Sequence, residues 1–396
     1  MEATLRLFDD DSHLFDFTAR VLSCDACAGG GYAAVLDSTA FFPEGGGQAA
    51  DPGFLDGIPV TDVQADAGGR ILHFLPSPLP VGGVVHGQID EAVRRERMQC
   101  HTGEHLVSGL VHEKYGYNNV GFHLGDADVT LDFDGVLTHG QLDDIEDEVN
   151  RRIRACLPVH AYYPDAAELA GMVYRSKLAL TEHVRIVEIG DGDTLCDRCA
   201  CCAPHVSNTG EIGMVKLLDF MHYKGGIRIH MQAGSRALLD YRRRYETVYE
   251  IATALSVRQD EAAEAFRRVC AENGELQRRM GELRRKMQEM RASALPETDG
   301  NMCLFEKNLD AQDMRRLLNL VVPKCGGICG IFSGSDENGY TYVIGRREKT
   351  LDLRTAAGII RGELNARGGG SAEMLQGRAS ASKSVIERFF DTFTVL

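Results

Sequence analysis

The chain has 396 residues, 44% of them hydrophobic and 26% charged, with a net charge of −15; a length beyond what one core usually supports predicts several domains. The acidic balance excludes broad, nonspecific binding to nucleic acid, because phosphate contacts need clustered Lys and Arg. No stretch of about eighteen apolar residues and no basic, apolar leader is seen, so the expectation is a soluble cytoplasmic protein, in which twelve cysteines, four of them from Cys196 to Cys202, point to metal binding and away from disulfides.

Residues 1–90 carry short alternating apolar runs, such as 32–36 and 84–89, separated by Gly, Pro and Asp, which predicts a small β-rich module. Within it, Thr39 precedes the run Phe41-Phe42-Pro43-Glu44-Gly45-Gly46-Gly47-Gln48. Its glycines suit a hairpin or bulge, and they would also let backbone approach a ligand closely. Asp90 is an N-cap for a helix over 91–115 that tolerates Gly103 and Gly109 and stops at Gly116. Alternation over 128–134 and strands over 184–189, 214–220 and 227–232 make residues 91–235 an α+β domain.

From 236 to 295, apolar residues recur between Val248 and Met290 at spacings of four and three, with Gln259 and Asn273 filling missing core places. That predicts a long coiled-coil-like helix, packing either against a second copy or back upon its own chain. A polar linker at 296–300 leads to residues 300–396, a compact α/β pattern with Gly-rich loops. The fold class expected is therefore α+β multidomain.

The chemistry starts at His101-Thr102-Gly103-Glu104-His105, where histidines four apart share one helical face and can hold one metal. Cys201-Cys202-Ala203-Pro204-His205 supplies a second pair at the same spacing. His101, His105, Cys201 and His205 together would complete a tetrahedral zinc shell. A rival is a knuckle of four thiolates, Cys196, Cys199, Cys201 and Cys202, which is sterically crowded for one short loop. The first run also matches H-x-x-E-H, a metallopeptidase signature in which Glu104 activates water, although no downstream carboxylate stands out as a third ligand. Arg278, Arg279, Arg284, Arg285, Arg367 and Arg378 are candidates for RNA contact, against the plainer reading of solvated charge.

In order and spacing, the Gly-rich run, the His-x-x-x-His and the Cys-x-x-x-His followed by Val206-Ser207-Asn208 resemble the AlaX family of alanyl-tRNA editing proteins and the matching domain of alanyl-tRNA synthetase. The resemblance covers about residues 1–235. The long helix and the segment 368–377 look like the DHHA1 domain that ends alanyl-tRNA synthetase. What this implies is a translation-protein-like barrel over 1–90, a zinc-binding editing domain over 91–235, a helical segment over 236–295 and a DHHA1-like domain over 300–396.

It further implies hydrolysis of mischarged seryl- or glycyl-tRNA specific for alanine. With no aminoacylation domain ahead of the editing part, the expectation is editing without charging. Thr39, Gln48 and Glu104 would serve catalysis or selectivity, and Gly45, Gly46, Gly47 and His123 would line the substrate. The acceptor end of alanine tRNA is the expected partner, with a homodimer through the helix or the C-terminal domain. The alternatives are the peptidase and a noncatalytic tRNA-binding module.

Overall fold

The computed structural model describes residues 3–125, 128–176, 184–348 and 352–394. Its contacts divide the chain into two compact units, Met1–Ile251 and Ala252–Leu396.

In the first unit, the alternating runs of the N-terminal part pair as one seven-stranded antiparallel sheet. Every second residue faces a core of Val21, Leu36, Phe41, Leu55, Ile71 and Val85, which is why the sequence alternates there. The expected helix spans Glu91–Tyr115. The Asp90 side chain accepts a hydrogen bond from Val93 N, and Gly116 closes the helix in the left-handed conformation, φ 71°. Strands Asn119–Leu124, Val129–Phe133, Gly226–Ala233 and Val215–Tyr223 form a four-stranded sheet against which the helix buries Leu106, Leu110 and Val111. A three-stranded sheet of Val159–Tyr162, Ile186–Ile189 and Asp197–Ala200 carries the cysteine-rich strand past the other flank of the helix.

Two features fix this helix in place. A Cβ at Gly109 would lie 2.9 Å from Asp197 Cβ and 2.9 Å from Cys196 O, so only glycine admits the cysteine strand this closely. At the other end, the fully buried Arg94 pairs with the buried Asp51 and donates to the carbonyls of Ser12 and Ala40, which ties the helix to the seven-stranded sheet.

The segment after Gly234 departs from one continuous helix. Gly234–Ala254 and Ala262–Ala294 are separated by Ser256, at φ 55°, and a 3-10 turn at Gln259–Glu261, so Gln259 sits in a turn and fills no core place. Arg258 and Glu261 cap that turn through a local hydrogen bond, and local capping outcompetes helical continuity there. The spacing of four and three persists along Ala262–Ala294, yet Phe266, Leu276, Met280, Leu283, Met287 and Met290 are all exposed.

The second unit contains that longer helix and a five-stranded sheet in which Met302–Glu306 runs parallel to Ile328–Ser335 and the remaining strands are antiparallel. Helices Ala311–Val321, Leu353–Glu363 and Lys383–Thr392 cover its two cores. Among the described residues no helix is long and apolar enough to cross a membrane.

Candidate metal centre and its cavity

Helical spacing stacks His101 and His105 on the face of Glu91–Tyr115 that meets the chain leaving the strand Asp197–Ala200, which delivers Cys201 and His205. The ligand atoms of these four residues all lie within 4.8 Å of one another. Cys201 Sγ is 3.5 Å from His101 Nε2 and 3.4 Å from His205 Nε2. Bonds of about 2.3 Å to sulfur and about 2.0–2.1 Å to nitrogen give a tetrahedral edge of about 3.6 Å, so the four residues fit zinc.

Each imidazole is oriented from behind, a role legible in the sequence only for the motif histidines themselves. His101 Nδ1 donates to Gln48 Oε1 at 3.0 Å, His105 Nδ1 to Asp197 Oδ2 at 3.1 Å, and His205 Nδ1 to Thr102 Oγ1 at 3.0 Å. With Nδ1 donating, Nε2 keeps the lone pair that a metal needs. Asp197 is itself gripped by both arms of Arg175, at 2.7 and 2.8 Å. Burial alone would push its pKa up, but Arg175 and then His105 hold the carboxyl below its ordinary value. Burial, reinforced by His105 and His101, pushes His205 well below the ordinary histidine value, so its ring is neutral. Burial also pushes the Cys201 thiol up, with Cys202 beside it adding to the effect; a dicationic metal reverses that balance by favouring thiolate.

A cavity of about 490 Å³ opens beside the four residues, lined by His101, Glu104, His105, Gly46, Gly47, Phe122 and Cys202, with Arg6, Tyr163 and Arg175 also contributing. The glycine run makes its wall. Gly45 and Gln48 bond through both backbone groups at 3.0 Å, and the central Gly46 and Gly47 take φ 61° and 83°, a turn closed to most side chains. A Cβ on Gly47 would reach 2.6 Å from Phe122 O, so the third glycine is required by close approach as well. Gly45 stays outside the wall.

Glu104 is 2% exposed, and its Oε1 accepts from Ser108 Oγ at 2.7 Å and Asn119 Nδ2 at 2.6 Å, while Oε2 lies 3.8 Å from His105 Nε2. Gln48 turns its oxygen to His101, and its buried Nε2 has no partner among the described residues.

Other expected site residues lie elsewhere. Thr39 is fully buried in a short strand paired with Leu5–Arg6, where its hydroxyl meets His73 Nε2 at 2.9 Å and accepts from Phe41 N; it does not line the cavity. His123 points to solvent, because alternation along Asn119–Leu124 gives the cavity side to Phe122, whose ring centre is 4.7 Å from that of His101. The four-thiolate knuckle does not form among the described residues. Cys196 and Cys202 join no metal-competent group, and Cys199 groups instead with His105 and Asp197. Asp197 is already committed to Arg175, and among the described residues no carboxylate joins His101, His105, Cys201 and His205 as the peptidase reading requires.

Of the basic candidates, Arg278 and Arg279 pair with Glu275, and Arg278 also with Glu282, along their own helix, which is the solvated-charge reading. Arg284 and Arg285 are exposed on that helix, and Arg367 stands opposite Arg378 across two paired strands.

Residues 184–234, which hold Cys201 and His205, match the family described as the threonyl and alanyl tRNA synthetase second additional domain. The chain is 31% identical over 387 residues to an alanine–tRNA ligase of Halorubrum lacusprofundi, covering 93% of this chain and 40% of that enzyme. It is 30% identical to the alanyl-tRNA editing protein Aarsd1 of Danio rerio and 32% identical to Aarsd1-A of Xenopus laevis, each over 60% of this chain and 58% of the relative. The chain thus spans about two-fifths of the ligase and under two-thirds of either editing protein.

Proposed function

The chain is an AlaX-like relative of alanine–tRNA ligases and alanyl-tRNA editing proteins, and on that premise we propose that it hydrolyses the ester joining a wrongly attached amino acid to alanine tRNA. The observation that carries this reading is the convergence of His101, His105, Cys201 and His205 at the wall of a cavity that a glycine turn leaves open. A cavity of that size suits an aminoacyl group with its terminal nucleoside.

His101, His105, Cys201 and His205 would hold zinc, whose positive charge would orient the amino acid beside it. Four protein ligands close the shell in the manner of a positioning site, so proton transfer falls to a side chain. Glu104 takes that role: Ser108 and Asn119 anchor one oxygen while the carboxylate faces the cavity, placed to accept a proton from the attacking water. Gln48 holds His101 and offers its unpartnered Nε2 to the substrate. Gly46 and Gly47 admit the aminoacyl group by presenting no side chains.

The preferred substrate is the seryl ester. A polar group that bonds the serine hydroxyl is left unpaired by alanine, a penalty of about 1–3 kcal/mol and hence roughly 5- to 150-fold in rate. The second unit, read as DHHA1-like, takes the body of the tRNA, with Arg284, Arg285, Arg367 and Arg378 as its basic residues. Release of serine and of alanine from the corresponding esters of alanine tRNA tests the proposal. Faster serine release supports it; cleavage of a peptide panel with both esters untouched would replace it with the peptidase.

A further inference from the structure

The cavity wall carries three guanidinium groups in a chain of net charge −15, those of Arg6, Arg175 and Arg185. Two of them are committed. Arg175 clamps Asp197, and Arg185 donates to the carbonyls of Cys201 and Ala203 at 3.2 and 2.9 Å while lying 3.4 Å from Asp9. Arg6 is half-buried and makes no hydrogen bond or ion pair among the described residues. It is held there by backbone alone: Leu5–Arg6 pairs in parallel with Ser38–Thr39, the strand that leads into the glycine turn.

An unpaired cation on a cavity wall recognises an anion. Beside it, Tyr163 is 48% exposed, and its hydroxyl is occupied by Asp9 at 2.9 Å, which fixes the ring and leaves its face open. A fixed aromatic face is the usual platform for a nucleobase.

We propose that Arg6 and Tyr163 form a clamp for the terminal nucleotide of the ester, Arg6 taking its 5′-phosphate and Tyr163 stacking its base. This rests on the ester hydrolysis proposed above. The clamp makes the nucleotide as well as the amino acid part of what the cavity reads, one ribose away from the scissile bond.

The test compares 2′(3′)-O-seryl adenosine with the same ester of adenosine 5′-phosphate, using the full-length, zinc-loaded chain. Arg6→Ala raises KM for the phosphorylated ester roughly tenfold at unchanged kcat and leaves the unphosphorylated ester alone. Arg6→Lys recovers part of the loss. Tyr163→Ala raises KM for both esters, whereas Tyr163→Phe, which keeps the ring but loses its bond to Asp9, has the smaller effect on both. Equal effects of Arg6→Ala on the two esters, or none on either, overturn the clamp.

If the wild type hydrolyses neither ester, the proposed reaction fails, and binding of adenosine 5′-phosphate judges the clamp separately. Binding that weakens roughly tenfold in Arg6→Ala supports it, and binding that is absent or identical in the two proteins overturns it.

Discussion

Two helices of this chain carry equally regular sequences and opposite fates. Glu91–Tyr115 is buried on almost every side from Cys100 to Val111, and its polar residues there, His101, Thr102, Glu104, His105 and Ser108, all meet partners inside the protein. Ala262–Ala294 buries only Ala262, Ala265, Gln288 and Ala292, and its charges pair along its own surface. Enclosure, more than residue type, separates a site from a solvated face: a hydrogen bond to a buried partner fixes one geometry, while an exposed ion pair contributes little.

The contrast breaks most severely at the base of the enclosed helix. Replacing Arg94 with Leu leaves the buried Asp51 carboxylate only Phe42 N at 2.8 Å and Arg97 at 3.6 Å, and should cost about 3–5 kcal/mol, measured by chemical denaturation. A loss below about 1 kcal/mol would mean the helix is not anchored there.

His73 is buried like the three candidate histidines of the metal centre but spends both nitrogens on protein partners, Ala34 O and Thr39 Oγ1. Burial lowers its pKa from 6.5 to about 4. The unfolded chain therefore binds the extra proton between those values, so the stability contribution is complete above pH 6.5 and fades as pH falls towards 4. The full span is about 3 kcal/mol. Stability curves from pH 7 to 4 should flatten in His73→Gln, and an unchanged slope would refute the account.

Asp197 tests orientation within the site. Asp197→Ala should weaken zinc roughly 10- to 100-fold in a chelator competition, with Asp197→Asn recovering part of it; equal affinity would make the Arg175–Asp197–His105 chain irrelevant to the metal. The smallest effect belongs to the open helix, where Leu283→Ser should change stability by under about 0.5 kcal/mol. A larger, concentration-dependent loss would show that a second copy covers this face.

The sequence made some of this plain and hid the rest for physical reasons. The helix 91–115 was legible to its caps, because Asp90 and Gly116 act locally, and the grouping of His101, His105, Cys201 and His205 was legible because helical spacing and the Cys-x-x-x-His run are local too. Asp197, Arg175 and Thr102 were missed as orienting groups, since their partners come from distant segments and only folding reveals the pairing. Thr39 and His123 were misplaced for a related reason. Strand alternation decides which neighbour faces the cavity, and it gave that side to Phe122 and turned Thr39 towards His73. The break at Ser256 was invisible to heptad spacing, which continues across it.

On the proposed function, one zinc held by four side chains serves ester hydrolysis. Bound zinc should be counted and serine release timed on the same preparations of the wild type and Cys201→Ala, using seryl-tRNA specific for alanine. About one zinc per wild-type chain with rapid serine release is expected, and loss of both together in the variant. Full activity in a zinc-free variant, or an inactive wild type with zinc fully bound, would contradict it.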